Sequence, residues 1–459
     1  MPVKYIDVRA SSELFAPEVR AFGDIAIVGK GGFGSPASDA EEFTSPGAAT
    51  QYLKALGGTT LSADAAKGAN SVTASASVPA PVLVRFTADK VTEVHTVTAV
   101  APVLPPAPPP APPPTPATGP PVAPPAPAAP AAFTLTLDAP LSAAYPTGSK
   151  VTQESDSDLL RAVRTAFAQT PPPTVVWGVP VDYASPQWDD GLTKVDKLDV
   201  QIVLLANTPL NATTSGTLTV LKQHVTADLG DGKERIGVAM LDPAVKQSDL
   251  KSLVSPTVID ERMVLIAHKS NDDAAAALAG VIAGYEPHIS LLLKPISIAM
   301  TDVFSDTEID GFNDVLVNWV TRPVLLPGQA LYLGEGYTSD ASHDKKYVDI
   351  VRTLDDINFR IKAALIEVIG NLRISRVGLR AVETIVQSVL APLVSRQVIA
   401  DFSIVIPLLT LLDKDPADLS AAEAQEISDA RAGRLVDMTV QVVYAGAIHR
   451  LKIDLVLKG

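Results

Sequence analysis

The first 170 residues contain segments with three different hydrophobic patterns. The continuous apolar run from Ile25 to Val28 is typical of a short buried strand, and Ser45 followed by Pro46 is typical of the start of a helix that continues to about Leu56. Between residues 59 and 153 the chain has short alternating Val/Thr-rich segments, which indicate strands. A set of apolar residues then repeats at the spacing of an amphipathic helix: Leu159, Leu160, Val163, Ala166 and Phe167.

Short apolar strands alternate with helices along most of the second half. The segments PTVVWGVPV, VQIVLLA, RIGVAML and RMVLIAH predict strands, and DDAAAALAGVIAGY predicts one of the helices between them. This alternation is typical of α/β layering. After Tyr347 we expect two long helices, the first capped by Thr353 and Asp356. A strand FSIVIPLL, a helix SAAEAQEISDARAG and two closing strands follow in the prediction.

A proline-rich run lies inside the strand-rich region. Residues 105–130 hold 15 of the 39 prolines of the chain. Because proline fixes φ and lacks the backbone donor, such a run forms neither a helix nor a sheet and is typical of a solvated polyproline-like loop. We therefore predict a small β domain over residues 59–153, inserted into an α/β unit and carrying this run as an extended hairpin loop.

The stretch DIAIVGKGGFGSP, residues 24–36, matches G-x-G-x-x-G through Gly29, Gly31 and Gly34. A phosphate-binding turn needs a helix that opens at the last glycine, so that its amides hold the pyrophosphate. Here Ser35 and Pro36 continue the chain as a turn, and the first predicted helix begins near Ser45. We therefore assign the glycines to backbone geometry, either a positive φ or a close approach.

Composition limits the possible classes of protein. The chain has 459 residues, and 37 Lys and Arg against 51 Asp and Glu give a net charge of −14, which argues against general nucleic-acid binding. Without cysteine there is neither a disulfide framework nor a thiolate metal site. We see no apolar run of the roughly 18 to 20 residues that a membrane span needs and no signal peptide, so we expect assembly in the cytoplasm without membrane insertion.

The sequence contains no motif or spacing that is typical of catalytic, cofactor-binding or metal-binding residues. The six histidines are scattered, and the segment from Asp306 to Gly311 resembles the start of a calcium loop whose twelfth position is Val317 instead of glutamate. We interpret that segment as a helix start, with acids at the favourable end of the dipole. The acidic pairs beginning at Asp189, Asp272 and Asp355 are interpreted as caps. We therefore expect no enzyme, no cofactor and no metal.

Both ends of the chain have strand patterns. An exposed terminal strand offers unpaired backbone groups to another chain, although both strands could also pair within their own sheet. The candidate inter-subunit arm residues are Tyr5, Ile6, Val8, Leu451, Ile453, Leu455 and Leu457. A basic stretch of an otherwise acidic chain is either a solvated helix face or a patch for an acidic partner, and it consists of Arg360, Lys362, Arg373, Arg376, Arg380 and Arg396.

Several of these segments resemble the tail sheath proteins of contractile phage tails and phage tail-like injection systems. YVDIVRTLDDINFRIKAALIEVIG resembles the segment that leads into the family's long helix, and ARAGRLVDMTVQVVYAGAIHRLKIDLVL resembles its closing turn and strands. RAFGDIAIVGKGG is similar to the opening strand, AAALAGVIAGYEPHIS to the middle-domain helix, and the strands around the proline run to a β insert of some sheaths. The proline run itself departs from the common pattern, so the resemblance does not indicate its role.

The resemblance implies an α+β or α/β multidomain fold. It has an N-terminal arm (1–17), a conserved inner α/β domain built from both chain ends (18–58 and 346–459), the inserted β domain (59–153) and a middle α/β domain (154–345). The implied function is a sheath subunit that polymerises helically, in stacked hexameric rings, around an inner tube and contracts. Further implied partners are baseplate and terminator or cap proteins. A capsid-type or surface-layer protein, or less readily a cytosolic α/β enzyme, remains the alternative from the residues alone.

Overall fold

The computed structural model describes residues 23–89, 91–103, 132–227, 233–341 and 344–449. The described strands form three sheets of nine, six and two strands. The mixed α/β multidomain fold with several sheets that the sequence predicts is confirmed.

The nine-stranded sheet is the largest element. Its spatial order is β13-β15-β14-β12-β11-β10-β1-β9-β2, and β14, β12, β11, β10, β1 and β9 run parallel. Its strands are β1 (Ile25–Lys30), β2 (Glu41–Phe43), β9 (Val176–Val181), β10 (Ile202–Leu205), β11 (Ile236–Met240), β12 (Met263–Ala267), β13 (Pro295–Ile296), β14 (Asn318–Thr321) and β15 (Leu331–Leu333).

Helices cover both faces of this sheet. One core joins the sheet to α1, α2 and α6, and a second core on the other face joins it to α3, α4, α5 and α7. Because the central parallel strands are buried on both faces, they are continuous apolar runs. The helices are α1 (Pro46–Leu56), α2 (Asp158–Phe167), α3 (Trp188–Val195), α4 (Ser215–Thr226), α5 (Leu250–Leu253), α6 (Ala274–Gly284) and α7 (Asp306–Asp314).

The inserted domain is an antiparallel sheet with a core of its own. Its order is β3-β8-β5-β6-β7-β4, and Phe86, Leu135 and Tyr145 are among the buried residues of its core. Val103 pairs with Ala132, so the chain on both sides of the proline-rich run forms one hairpin, while residues 104–131 lie outside the described residues. The strands are β3 (Thr59–Thr60), β4 (Ser71–Ala74), β5 (Val82–Ala88), β6 (Val91–Val103), β7 (Ala132–Leu137) and β8 (Lys150–Gln153).

The last hundred described residues form a helical unit with a two-stranded sheet. Two small cores hold it together, one between α8, α9 and the sheet and one between α9, α10 and α11. Its elements are α8 (Val348–Ile366), α9 (Arg376–Ser395), β16 (Ile399–Val405), α10 (Pro407–Asp413), α11 (Ala421–Gly433) and β17 (Thr439–Tyr444).

Most predicted elements near the start are confirmed, but the grouping of residues 18–58 with 346–459 is wrong for β1. That strand lies between β9 and β10 in the middle of the large sheet and pairs with both. Its side chains are fully buried there, together with those of residues 154–345. The first strand is therefore part of the α/β unit that the sequence assigns to the middle domain.

Two predictions in the C-terminal unit are wrong in detail. The first long helix begins at Val348, five residues before Thr353, whose hydroxyl donates to the carbonyl of Asp349 within the helix. The strand predicted as FSIVIPLL begins at Ile399 and ends at Val405, because Pro407 starts α10.

Helix α9 contradicts the expectation that no stretch has the length and hydropathy of a membrane span. By length and composition alone, this is the one helix of the described residues that meets both requirements. It carries charged Arg376, Arg380 and Glu383, and its residues Leu379, Val386 and Leu390 are buried in the two cores of the C-terminal unit. One face of α9 therefore packs in these two cores, and 28% of its apolar window is buried.

Candidate assembly interface

The two-stranded sheet β16–β17 is the candidate site for contact with other subunits. Its strands pair antiparallel from Ile399–Tyr444 to Val405–Thr439. One face packs on α9, where Phe402, Ile404, Val440 and Val442 contact the core around Val386, Leu390 and Leu393. The other face is exposed, and Val405 and Val443 keep 49% and 55% of their surface in solvent.

Each strand of this sheet has a single partner within the described residues. The outer edge of each strand therefore presents backbone groups to which a further strand can bind. A two-stranded hairpin is marginally stable by itself and usually gains stability from further strands or from a helix. Here α9 covers one face, and neither outer edge pairs with a further strand among the residues that the structure describes.

The predicted arms do not lie in the described part of the chain. Tyr5, Ile6 and Val8 precede residue 23, and the second arm, with Leu451, Ile453, Leu455 and Leu457, follows residue 449. Strand β17 ends at Tyr444, and the chain is described as far as His449. The arm assignment stays a prediction.

The structure brings the predicted basic residues together with carboxylates. Arg360 pairs with Asp356 at 2.8 Å, Lys362 with Glu234 at 3.3 Å, and Arg396 with Glu286. These contacts pair three of the six basic residues with carboxylates of the same chain. Sequence reasoning missed them because Glu234 and Glu286 lie more than 70 residues before the basic stretch.

The two arginines at the start of α9 share one carboxylate. Arg376 Nε lies 2.8 Å from Asp413 Oδ1, and Arg380 Nη2 lies 2.7 Å from Asp413 Oδ2. Arg380 also donates to Glu383 at 2.9 Å. The hydrogen bond with Glu383 and the charge of Asp413 raise the pKa of the Arg380 guanidinium. The sixth residue, Arg373, donates to the carbonyl of Gly370 at 3.4 Å.

A polar cluster joins the end of β17 to the α/β unit. The Tyr444 hydroxyl donates to Asp349 on α8, a carboxyl whose pKa is raised by burial despite that bond. Arg352, one turn further along α8, donates to the carbonyl of Tyr285, and burial lowers its pKa to about 10. His449 contacts Ser290 and Glu335. No spacing in the sequence points to this cluster, because its members come from four separate segments.

The glycine-rich loop after β1 packs against the inserted domain. The Gly58 N–H donates to the Phe33 carbonyl at 2.6 Å, and the Phe33 N–H donates to Gln153 Oε1 at 3.3 Å. Gly34 has φ of +71°, and a Cβ on it would lie 2.3 Å from the Gly58 oxygen. Strand β2 follows the loop instead of a helix. The interpretation of these glycines as backbone geometry is confirmed, and the loop lacks the helix that a phosphate site needs.

The acidic segments have structural roles. Ser305 and Glu308 form a capping box at the start of α7, which confirms the helix-start interpretation of residues 306–311. Asp273 caps α6 through the Ala276 N–H. Asp355 and Asp356 lie inside α8 and bind Arg262 and Arg360, so their interpretation as caps is wrong. Within the described ranges no three His, Asp or Glu side chains are grouped as a metal ion requires.

A cavity of about 280 Å³ lies at the carboxyl end of β11 and β12. Leu241, Phe304 and Phe312 form much of its apolar wall. Lys269 and Glu308, two of its charged residues, bind each other at 3.1 Å, and Asp242, Lys246 and His268 also line it. The cavity therefore has an apolar wall and a polar rim in which one ion pair is closed internally.

Comparison with solved structures finds similar chains in contractile particles. One belongs to the helical sheath of the anti-feeding prophage in its contracted state, with 12% identity, 64% of this chain and 81% of that chain covered, and a TM-score of 0.48. Another belongs to the PVC sheath complex of an extracellular contractile injection system in its contracted state. It is 12% identical, the match covers 65% of this chain and 81% of that chain, and the TM-score is 0.48. A third is a sheath tail protein from Listeria innocua. It is 11% identical, the match covers 93% of this chain and 96% of that chain, and the TM-score is 0.44.

No model of a known protein family matches the chain, and no curated protein matches it.

Proposed function

We propose that this chain is the structural subunit of a contractile sheath. It polymerises helically around an inner tube, in stacked hexameric rings, and contracts by subunit rearrangement to drive the tube through a target envelope. The observation that carries the proposal is the two-stranded sheet β16–β17, whose strands each have one partner in the described chain. Both chain ends, with their strand patterns, supply candidate strands to complete it in a neighbouring subunit.

Strand addition suits a link that must survive large motion. Each backbone hydrogen bond contributes about 0.5–1.5 kcal/mol net, so a few bonds and the buried leucines of an arm hold two subunits together. A contact between two different surfaces of the same chain does not close on itself and builds a helical lattice. Contraction is then a rigid-body shift of subunits with the arms as hinged tethers. Baseplate and terminator or cap proteins would complete the particle.

The first test is negative-stain electron microscopy of the purified chain, alone and with its tube protein. We expect hollow striated cylinders or stacked rings from the intact chain and none after deletion of residues 451–459, because the C-terminal strand supplies the link. A length-preserving variant replaces the apolar face of that strand with serine: Leu451, Ile453, Leu455 and Leu457. Serine at Arg450, Lys452 and Asp454 on the opposite face is the matched control and should leave assembly intact. Normal cylinders from the truncated chain would remove the C-terminal arm from the proposal.

We also propose that the surface formed by the basic stretch Arg360–Arg396 faces the tube, and the two arginines at the start of α9 provide its test. Reversal of charge by Arg376→Glu and Arg380→Glu should weaken co-assembly with the tube, measured by co-sedimentation, while the fold persists. Because both arginines bind Asp413 in their own subunit, Asp413→Asn is the control that removes this internal pair and leaves the arginines unchanged. Equal co-sedimentation of the reversed variant and the intact chain would place the tube contact elsewhere.

A further inference from the structure

The four residues that follow β17 are exposed to solvent, and the fifth is nearly buried. Ala445 to Ile448 lie in solvent, with Ile448 83% exposed, and Gly446 turns the chain with φ of +67°. The next residue, His449, keeps only 11% of its side chain exposed. An exposed connector that ends in a nearly buried imidazole indicates a specific anchoring point.

Both ring nitrogens of His449 bind the α/β unit. Nε2 lies 2.8 Å from Ser290 Oγ, and Nδ1 lies 2.9 Å from Oε2 of Glu335, whose side chain is 6% exposed. The imidazole also packs edge-on against Tyr347, with ring centroids 4.6 Å apart. The Leu292 N–H donates to Ser290 Oγ at 3.2 Å and fixes that hydroxyl in place. These contacts come from three separate segments of the chain.

A second anchor holds the other end of the connector. The Tyr444 hydroxyl donates to Asp349 Oδ2 on α8, so the connector of residues 445–448 runs between two fixed points. We propose that His449 is a releasable anchor that sets the reach of the C-terminal arm. This inference rests on the proposed function, because it gives the anchor a role in subunit linkage. With His449 bound, the arm starts at the surface of its own α/β unit.

Release of His449 would move the start of the arm back to Tyr444. The five residues 445–449 then join the tether and lengthen it by about 17 Å of fully extended chain, at roughly 3.4 Å per residue. The Tyr444 anchor stays in place, so the two-stranded sheet keeps its position on α8. His449 would thus let a subunit move away from its neighbour without breaking the added strand.

The absence of cysteine makes the anchor measurable by spin labels on the full chain. Ile448→Cys and Val324→Cys place labels at two exposed positions, since Val324 is 98% exposed. We expect one narrow distance distribution for this labelled chain and one at least twice as wide after His449→Ala. His288→Ala is the matched control, because His288 pairs with Glu286 and not with residues 445–449. A wide distribution before the substitution, or a narrow one after it, would overturn the anchor.

Release is tested in assembled cylinders that contain a small fraction of labelled subunits. We expect the narrow distribution in the extended state and a longer, broader one in the contracted state. A narrow distribution in both states would show that the anchor is permanent and overturn its release. Failure of the unlabelled chain to form cylinders would contradict the proposed function, whereas the soluble-chain measurement still decides the anchor.

Discussion

Two glycines allow the backbone of the α/β unit to contact the backbone at the start of the inserted sheet. Gly34 follows β1 and Gly58 precedes β3, and the hydrogen bond from the Gly58 N–H to the Phe33 carbonyl closes the contact. A side chain on Gly34 would meet the Gly58 oxygen at 2.3 Å in a left-handed backbone conformation. Space and backbone conformation therefore both require glycine here.

Gly34→Ala should destabilise the chain by about 3 kcal/mol, since it adds the cost of a positive φ to that of an overpacked contact. Gly68→Ala is the matched control, because Gly68 also has a positive φ of +86° but no atom within 4 Å of the added Cβ. It should cost about 1 kcal/mol. Urea unfolding curves measure both losses. Equal losses would show that backbone conformation alone makes glycine necessary at position 34.

At the scale of elements, α8 shows how tertiary contacts override a local signal. Thr353 and Asp356 have the spacing of a helix start, yet the helix begins at Val348. Its first turns are buried against the large sheet, and Asp355 binds Arg262 at the start of β12 through two bonds of 2.6 and 2.9 Å. A capping pattern records only local chemistry, so the sequence could not show that these turns have a partner 93 residues away.

The pair Arg262–Asp355 should stabilise the docking of α8. In a double-mutant cycle with Arg262→Gln and Asp355→Asn, we expect a coupling of about 1–3 kcal/mol, because both side chains are only 19% exposed and the contact is bidentate. The exposed pair Lys251–Asp314, at 3.6 Å, is the control and should couple by less than about 0.5 kcal/mol. Urea unfolding supplies the free energies, and equal coupling of the two pairs would contradict this role.

At the scale of the whole molecule, the sequence predicts the elements better than their grouping. The strands between residues 59 and 153 could be predicted, since they form a continuous block of alternating residues. The sheet position of β1 could not, because its apolar run fits any buried strand. Likewise, the ion pairs of the basic stretch could not be predicted, because its partners Glu234, Glu286 and Asp413 lie outside it. Local patterns determine the elements, and long-range pairing decides where they lie.

The inserted domain has its own buried core, distinct from the two cores of the large sheet, so the two should unfold separately. Thr59 pairs with Val151, which places the two ends of the insert about 5 Å apart. A short Gly-Ser linker can therefore replace residues 60–152, with Phe33→Ser to remove the side chain that packs into the lost core. We expect two urea transitions in the intact chain. The chain with the linker should keep only the transition of the α/β unit, at a similar midpoint. A single transition in the intact chain, together with an unfolded replaced chain, would show that the two units fold only together.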